Sequence, residues 1–305
     1  MLLVTGASGF LGANFTLGAV NEGRDVVAAT NRGGFSAAGV RTIRADLTVP
    51  GAAATLIDDV KPDWVVNCAA LASVDQCERE PVYARQLNVD LPHALAVACA
   101  ETGVRLVQVS TDSVFDGRRG CYAESDEPAP LNAYARTKLD GECAVLAALP
   151  DALVVRTNFI GLSARGNAGL ADWIATRASS GDQITGFRDV VFSPLLANDL
   201  ATIMLAMMDR RLAGLHHVAA SDSCSKHDFA RQLCTALGLD ADLVSKGSLS
   251  GATLDALRPL NTSLSSLRAE TALGRSMPSV SHAIERYRAL RDNGYAARLR
   301  ATIES

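Results

Sequence analysis

A short apolar run, Leu2-Leu3-Val4-Thr5, leads directly into three glycines, Gly6, Gly9 and Gly12, which open a helical pattern over Phe10–Asn21. Strand, glycine turn and helix in this order are the start of a dinucleotide-binding βαβ unit. The first glycine permits the tight turn, the second lets backbone approach a pyrophosphate, and the third allows helix to pack closely on strand. The helix N-terminus offers unpaired N–H groups and a positive dipole end to the anion. The spacing, G-x-x-G-x-x-G, is one residue longer at its start than the usual fingerprint.

The rest of the first half keeps this rhythm. Asp25–Ala29, Arg41–Arg44, Asp63–Asn67, Arg105–Val109 and Ala152–Arg156 read as strands. Pro81–Thr102, with an internal Pro92, and Asn132–Leu149 read as helices. Strands alternating with helices predict an α/β fold, a doubly wound parallel sheet of the Rossmann type. After Arg156 the alternation breaks into a smaller mixed region. Helices are expected there over Gly169–Ser180, Asn198–Asp209, His227–Leu237 and Ser279–Asn293. The expected division is a dinucleotide-binding part over residues 1–156 and a mostly substrate-binding part over 157–305, with about 190–220 returning to the first.

The end of the second strand bears on cofactor choice. An acidic residue there would bond the 2′-hydroxyl of NAD(H). This chain has Thr30-Asn31-Arg32 instead. With no carboxylate to repel a 2′-phosphate and Arg32 to bind one, NADP(H) is expected over NAD(H), with Asn31 beside it. Asp46 and Leu47, after the third strand, are placed to cover the adenine.

Tyr134 and Lys138 stand four residues apart on a predicted helix, and so on one face. An ammonium beside a phenol favours the phenolate and lowers its pKa. Such a tyrosine exchanges a proton with a carbonyl oxygen as hydride moves. Strand 105–109 runs into Ser110-Thr111-Asp112, and ligands of doubly wound sheets sit at the strands' C-terminal ends. Thr111 is therefore expected to donate a hydrogen bond to the reacting oxygen.

Composition narrows the class. A net charge of -4 gives no basic face for nucleic acid. No apolar run reaches the ~18 residues of a membrane span, and no secretory signal is expected. Seven cysteines without a C-x-x-C suggest neither a disulfide framework nor a zinc site, so a reducing cytoplasm fits and no metal is expected. His216-His217 has no acidic or cysteine partner nearby in sequence and reads as structural.

Several stretches carry a family resemblance. They are Asn67-Cys68-Ala69-Ala70, Val74-Asp75-Gln76-Cys77-Glu78, Asn88, Ser110–Gly117, Pro130–Tyr134, Arg156-Thr157-Asn158 and Arg258–Leu264. The chain resembles the extended short-chain dehydrogenase/reductases, and among them the dTDP-4-dehydrorhamnose reductase branch. The resemblance implies that Thr111, Tyr134 and Lys138 are catalytic, with Asp112 beside them. Lys138 would also hold the nicotinamide ribose. Gly6, Ser8, Gly9, Phe10 and Leu11 would line the pyrophosphate, and Asp46, Leu47, Ala69 and Ala70 the adenosine. Val74, Asn88, Thr111, Asn158 and Arg258 would serve the substrate, with Arg258 on its diphosphate. That substrate would be a nucleotide-linked 4-keto-6-deoxysugar reduced at C4, in a protein that forms a homodimer.

Two departures fall where the sugar is expected. Ser113 replaces an aromatic residue of the family's Thr-Asp-Tyr-Val-Phe, and Asn158-Phe159 stands where many members carry tryptophan. Two other readings remain open at this point. One is a nucleotide-sugar epimerase or dehydratase that recycles bound NAD(P). The other is a non-catalytic NADP-binding regulatory subunit, against which the intact Thr111, Tyr134 and Lys138 argue.

Overall fold

A computed structural model describes residues 1–31, 33–166, 169–251 and 254–304, with Glu304 described by its backbone alone. Seven strands form one sheet: β1 (Leu2–Thr5), β2 (Val26–Thr30), β3 (Val40–Arg44), β4 (Trp64–Asn67), β5 (Arg105–Thr111), β6 (Leu153–Thr157) and β7 (Gly214–Val218). Their order is β7-β6-β5-β4-β1-β2-β3, and every neighbouring pair is parallel. β1, β2 and β4 are almost continuous apolar runs because both faces of the sheet are covered there, whereas the edge strand β3 is polar and largely exposed. Every residue of β1, β2 and β6 is buried.

Among the described residues, eight helices of nine residues or more cover and extend this sheet: α1 (Phe10–Asn21), α2 (Ala52–Val60), α3 (Leu91–Thr102), α4 (Ala133–Ala148), α5 (Leu170–Ser179), α6 (Ala197–Asp209), α7 (Lys226–Ala236) and α8 (Val280–Asp292). α2, α3 and α4 share one apolar cluster with residues such as Leu3, Val65 and Leu106 of the sheet. α1 and α6 share the other, which continues through α5, α7 and α8. Helices on both faces confirm the doubly wound architecture.

The expected helix over Pro81–Thr102 is real but interrupted. Pro81–Arg85 is α-helical, Gln86–Asp90 is a π turn, and α3 follows. Pro92 has no N–H to give the carbonyl four residues back, at Asn88, and the helix widens there. That same carbonyl faces Gly141 of α4, where a Cβ would collide with it. Glycine at 141 lets the two helices touch.

Between β6 and β7 the chain leaves the sheet and returns to it. Phe159–Ile160 pairs in parallel with Leu195–Leu196, and α6 then packs on α1. Farther out, Ile184–Phe187 pairs in parallel with Val244–Gly247, and Val191–Phe192 antiparallel with Cys224–Ser225. Near the end of the chain, Ile303–Glu304 pairs antiparallel with Gly34–Phe35, the segment that follows β2. None of the described helices is long and apolar enough to cross a membrane.

Candidate active site

Strand order reverses between β1 and β4, and the crevice at this switch point is where such sheets bind ligands. Gly6 follows β1 with φ +66°, and a Cβ there would stand 2.7 Å from Ala69 Cα. At Gly12 a Cβ would run into the Gly6 carbonyl oxygen. Gly9 caps α1 without any side-chain bond, so the first N–H groups of the helix face the turn uncapped. A cradle this tight accepts only bare backbone, which is what a pyrophosphate needs. The residues therefore fit a dinucleotide.

A groove of about 390 Å³ opens above the cradle. Gly6, Ser8, Gly9, Phe10, Asn31, Ala69 and Ala70 line it, as expected from the sequence. Its floor is held by a buried polar row across three strands. Thr5 Oγ1 donates to Asn67 Oδ1 at 2.5 Å, Asn67 Nδ2 to Gln108 Oε1 at 2.7 Å, and the Ala69 N–H to Asn67 Oδ1 at 3.1 Å. These bonds fix the Ala69 loop against Gly6.

Other expected cofactor contacts fall elsewhere. Leu11 and Leu47 are buried in the two apolar clusters beside the sheet and do not line the groove. Asp46 accepts from Asn31 Nδ2 at 3.3 Å and from Thr48 Oγ1 at 2.6 Å, so it sits beside Asn31. Arg32 lies outside the described residues. A different cation, Arg165, lines the groove. A Cβ on Gly33 would lie 2.7 Å from Arg165 Nη2, and Ser8 is next to the same spot. Arg165 comes from the loop after β6, more than a hundred residues from the glycine turn, and no motif marked it.

Thr111 closes β5, and Tyr134 and Lys138 stand on the first turns of α4. The Asn132 side chain caps that helix by accepting from the Ala135 N–H at 2.9 Å. Burial pushes the Tyr134 phenol up to about 12, and a hydrogen bond with Thr111 works in the opposite direction. Lys138, which the spacing alone would make the main influence on that phenol, is not among its leading influences. Its ammonium instead donates to the Val109 carbonyl at 2.7 Å. Burial brings Lys138 down to about 8, while the Glu142 charge holds it up. Glu142, one further turn along α4, is itself bound in a buried ion pair to Arg156 at 2.7 Å.

Asp112 is buried and ties the site together. Its Oδ2 accepts from Thr262 Oγ1 at 2.6 Å and from Asn158 Nδ2 at 2.8 Å, and its Oδ1 from Thr111 and Ser113 at 3.2 Å each. Burial raises its pKa and these bonds oppose the rise.

On the far side of Asp112 lies a larger cleft of about 670 Å³. Ser113, Asn158, Arg258 and Thr262 line it, with Trp173, Arg177, Phe187, Phe192 and Lys226 from the mixed region. Arg258 Nη2 donates to Asp75 Oδ1 at 2.9 Å. Tyr83 and Leu87, which line the groove, pack with Tyr134 against one apolar cluster that contains Cys77, Ala84 and Ala133. Thr111, Tyr134 and Lys138 line neither space themselves; that cluster connects Tyr134 to the groove, and Asp112 connects Thr111 to Asn158 and Thr262 of the cleft. Three expected substrate residues do not line the cleft: Thr111, which bonds Asp112, and Val74 and Asn88. Val74 starts the short helix Val74–Arg79. Asn88 is buried, accepting from the Leu71 N–H at 2.9 Å and donating to Thr137 Oγ1 at 3.1 Å. His217 is buried under the sheet edge, its Nδ1 2.9 Å from the Tyr122 carbonyl.

A glycine cradle at the switch point, a tyrosine and lysine one turn apart, and a threonine at the adjoining strand end define an extended short-chain dehydrogenase/reductase. Such proteins are NAD(P)-dependent oxidoreductases. The chain belongs to the family described as the RmlD substrate binding domain, which it matches over residues 1–291. It is 38% identical over 249 residues to a dTDP-4-dehydrorhamnose reductase of Mycobacterium tuberculosis, covering 80% of this chain and 77% of that one. It is 34% identical over 284 residues to a probable low-salt glycan biosynthesis reductase of Haloferax volcanii, covering 91% and 93%. Among solved structures, a dTDP-4-dehydrorhamnose reductase of Bacillus anthracis in complex with NADP superposes with a TM-score of 0.82 at 26% identity. That match covers 94% of this chain and 97% of the other.

Proposed function

We propose that the protein reduces the C4 keto group of a nucleotide-linked 4-keto-6-deoxysugar with NADPH. The feature that supports this reading is the hydrogen-bonded link from Thr111 through Asp112 to Asn158 and Thr262 of the larger cleft, with Tyr134 packed on the same apolar cluster as Tyr83 and Leu87 of the groove. The relatives named as dTDP-4-dehydrorhamnose reductases, and the NADP in the Bacillus anthracis structure, support it.

Gly6, Ser8, Gly9, Phe10, Ala69 and Ala70 hold the dinucleotide, with Asn31 and Arg165 toward its adenosine end. The bound cofactor supplies a hydride. Tyr134 supplies the proton: a phenol that burial holds at about 12 stays protonated at neutral pH, as a general acid must. Hydride to carbon and proton to oxygen together convert the ketone to an alcohol. Thr111 orients the oxygen, and Lys138 keeps a positive charge beside the ribose. Asp112 positions Thr111, Asn158 and Thr262 around the sugar. Arg258 takes the diphosphate, for which a guanidinium is well shaped.

In this reading residues 1–156 form the dinucleotide-binding part and most of 157–305 the substrate part, with about 190–220 returning to the sheet. The enzyme works in the cytoplasm as a homodimer. The test is loss of NADPH absorbance with a panel of nucleotide-linked ketosugars. Turnover of a 4-keto-6-deoxysugar is expected. No consumption of NADPH with any of them, together with tightly retained oxidised cofactor, would instead indicate an epimerase or dehydratase.

A further inference from the structure

Three cations line the larger cleft, Arg177, Arg258 and Lys226, and none of its described lining residues is acidic. Both arginines already have partners. Arg258 bonds Asp75, and Arg177 lies 3.5 Å from Asp182 and bonds the Gln183 carbonyl at 3.4 Å. Lys226 differs. Its ammonium rests 3.2 Å from the centroid of the Phe192 ring, and among the described residues it donates to no acceptor. The aromatic face offsets only part of what a desolvated ammonium loses. Its place is nonetheless fixed. Lys226 begins α7, capped by Ser225, and its N–H donates to the Val190 carbonyl at 2.8 Å. Phe192 is buried and held edge-on by Phe229 at 5.4 Å. The result is a rigidly mounted cation with unspent donors.

Its surroundings are also set. Lys226 shares the cleft wall with Asn158 and Thr262, both bonded to Asp112 at the end of β5, and the Asp112 charge acts on its ammonium. Asp112 does not use those donors, because its two oxygens already take four hydrogen bonds. A ligand oxygen at the reacting end of the cleft is the acceptor left over.

We propose that Lys226 recognises the sugar of the substrate, donating hydrogen bonds to its oxygens beside the reacting carbonyl. This rests on the function proposed above and adds to it a specificity-determining residue distinct from the diphosphate contact at Arg258. Lys226→Met keeps the length of the stem and removes the donors. With NADP present, calorimetry compares two probes, dTDP-rhamnose and dTDP alone. The variant should bind dTDP-rhamnose about 10-fold or more weakly, the lower end for a hydrogen bond to a charged group. Its affinity for dTDP should stay within about two-fold, and Lys226→Arg should recover part of the loss. Should the methionine variant fail to fold, the arginine variant serves in its place, with a smaller loss confined to the sugar-bearing probe. Unchanged affinity for dTDP-rhamnose, or an equal loss for both probes, would overturn the assignment while leaving the proposed function intact. A wild type that binds neither probe and consumes no NADPH would overturn both.

Discussion

Lys138 donates a 2.7 Å hydrogen bond to the Val109 carbonyl, so the ammonium one turn beyond Tyr134 is tied to the end of β5 rather than set against the phenol. Its burial has a consequence for stability. The folded-state pKa falls from 10.5 to about 8. Below about pH 8 both states carry the charge, and the cost of burying it is felt in full. Between there and about 10.5 the unfolded chain binds the proton and the folded chain does not, so stability rises with pH.

Lys138→Met should therefore be more stable than wild type at pH 7, and its advantage should shrink through that window by at most ~1.4 kcal/mol per pH unit. Urea unfolding at neutral pH and at about pH 9.5 measures the difference. A constant advantage would show that the ammonium is not desolvated.

Tyr134→Phe removes one hydroxyl from a site whose cofactor cradle is made of backbone. Dinucleotide affinity should be retained and turnover should fall about 10²–10⁴-fold, the range for general acid catalysis. Near wild-type turnover, measured with a ketosugar substrate, would remove Tyr134 from the mechanism.

Arg165 stands over Gly33 beside the glycine loop. If it meets the 2′-phosphate, Arg165→Ala should weaken NADPH by roughly 5- to 10-fold and leave NADH nearly unchanged. A charged hydrogen bond is worth more than this, but the side chain is exposed and screened. Fluorescence titration of both cofactors decides, and equal weakening would place Arg165 on the pyrophosphate instead.

Gly141 gives passage to the Asn88 carbonyl freed at the π turn. Gly141→Ala should cost about 1–3 kcal/mol through overpacking, despite alanine's better helix propensity. Because α4 carries Tyr134 and Lys138, turnover should fall along with the melting temperature. A variant as stable as wild type would mean the two helices can separate without loss.

What the sequence disclosed tracks how local each cause is. Gly6, Gly9 and Gly12 act within one turn of chain, and strand, loop and helix were legible to within a residue. The inner strands, such as Leu2–Thr5 and Val26–Thr30, announced themselves as apolar runs. The π turn was hidden because an internal proline such as Pro92 signals a disturbed helix without saying whether the chain kinks, breaks or widens. Asn88 was matched as a substrate residue, yet its bonds go to Leu71 and Thr137, since a motif records that an asparagine is needed and not which partner it meets. The spacing of Tyr134 and Lys138 fixed their common face but not the Val109 carbonyl that captures the ammonium. Arg165 and Lys226 were invisible for one shared reason. Each reaches its site from a segment distant in sequence, and an isolated basic residue in a loop or at a helix start has no pattern to betray it.

The pairing of Ile303–Glu304 with Gly34–Phe35 closes the loop beside Gly33, and the Thr302 carbonyl accepts from the Ser36 N–H at 2.7 Å. The segment bordering the groove is thus held by residues from a remote stretch of the sequence, so a substitution that loosens the Ile303–Glu304 pairing should be felt beside Ser8 and Gly33 and not at Tyr134.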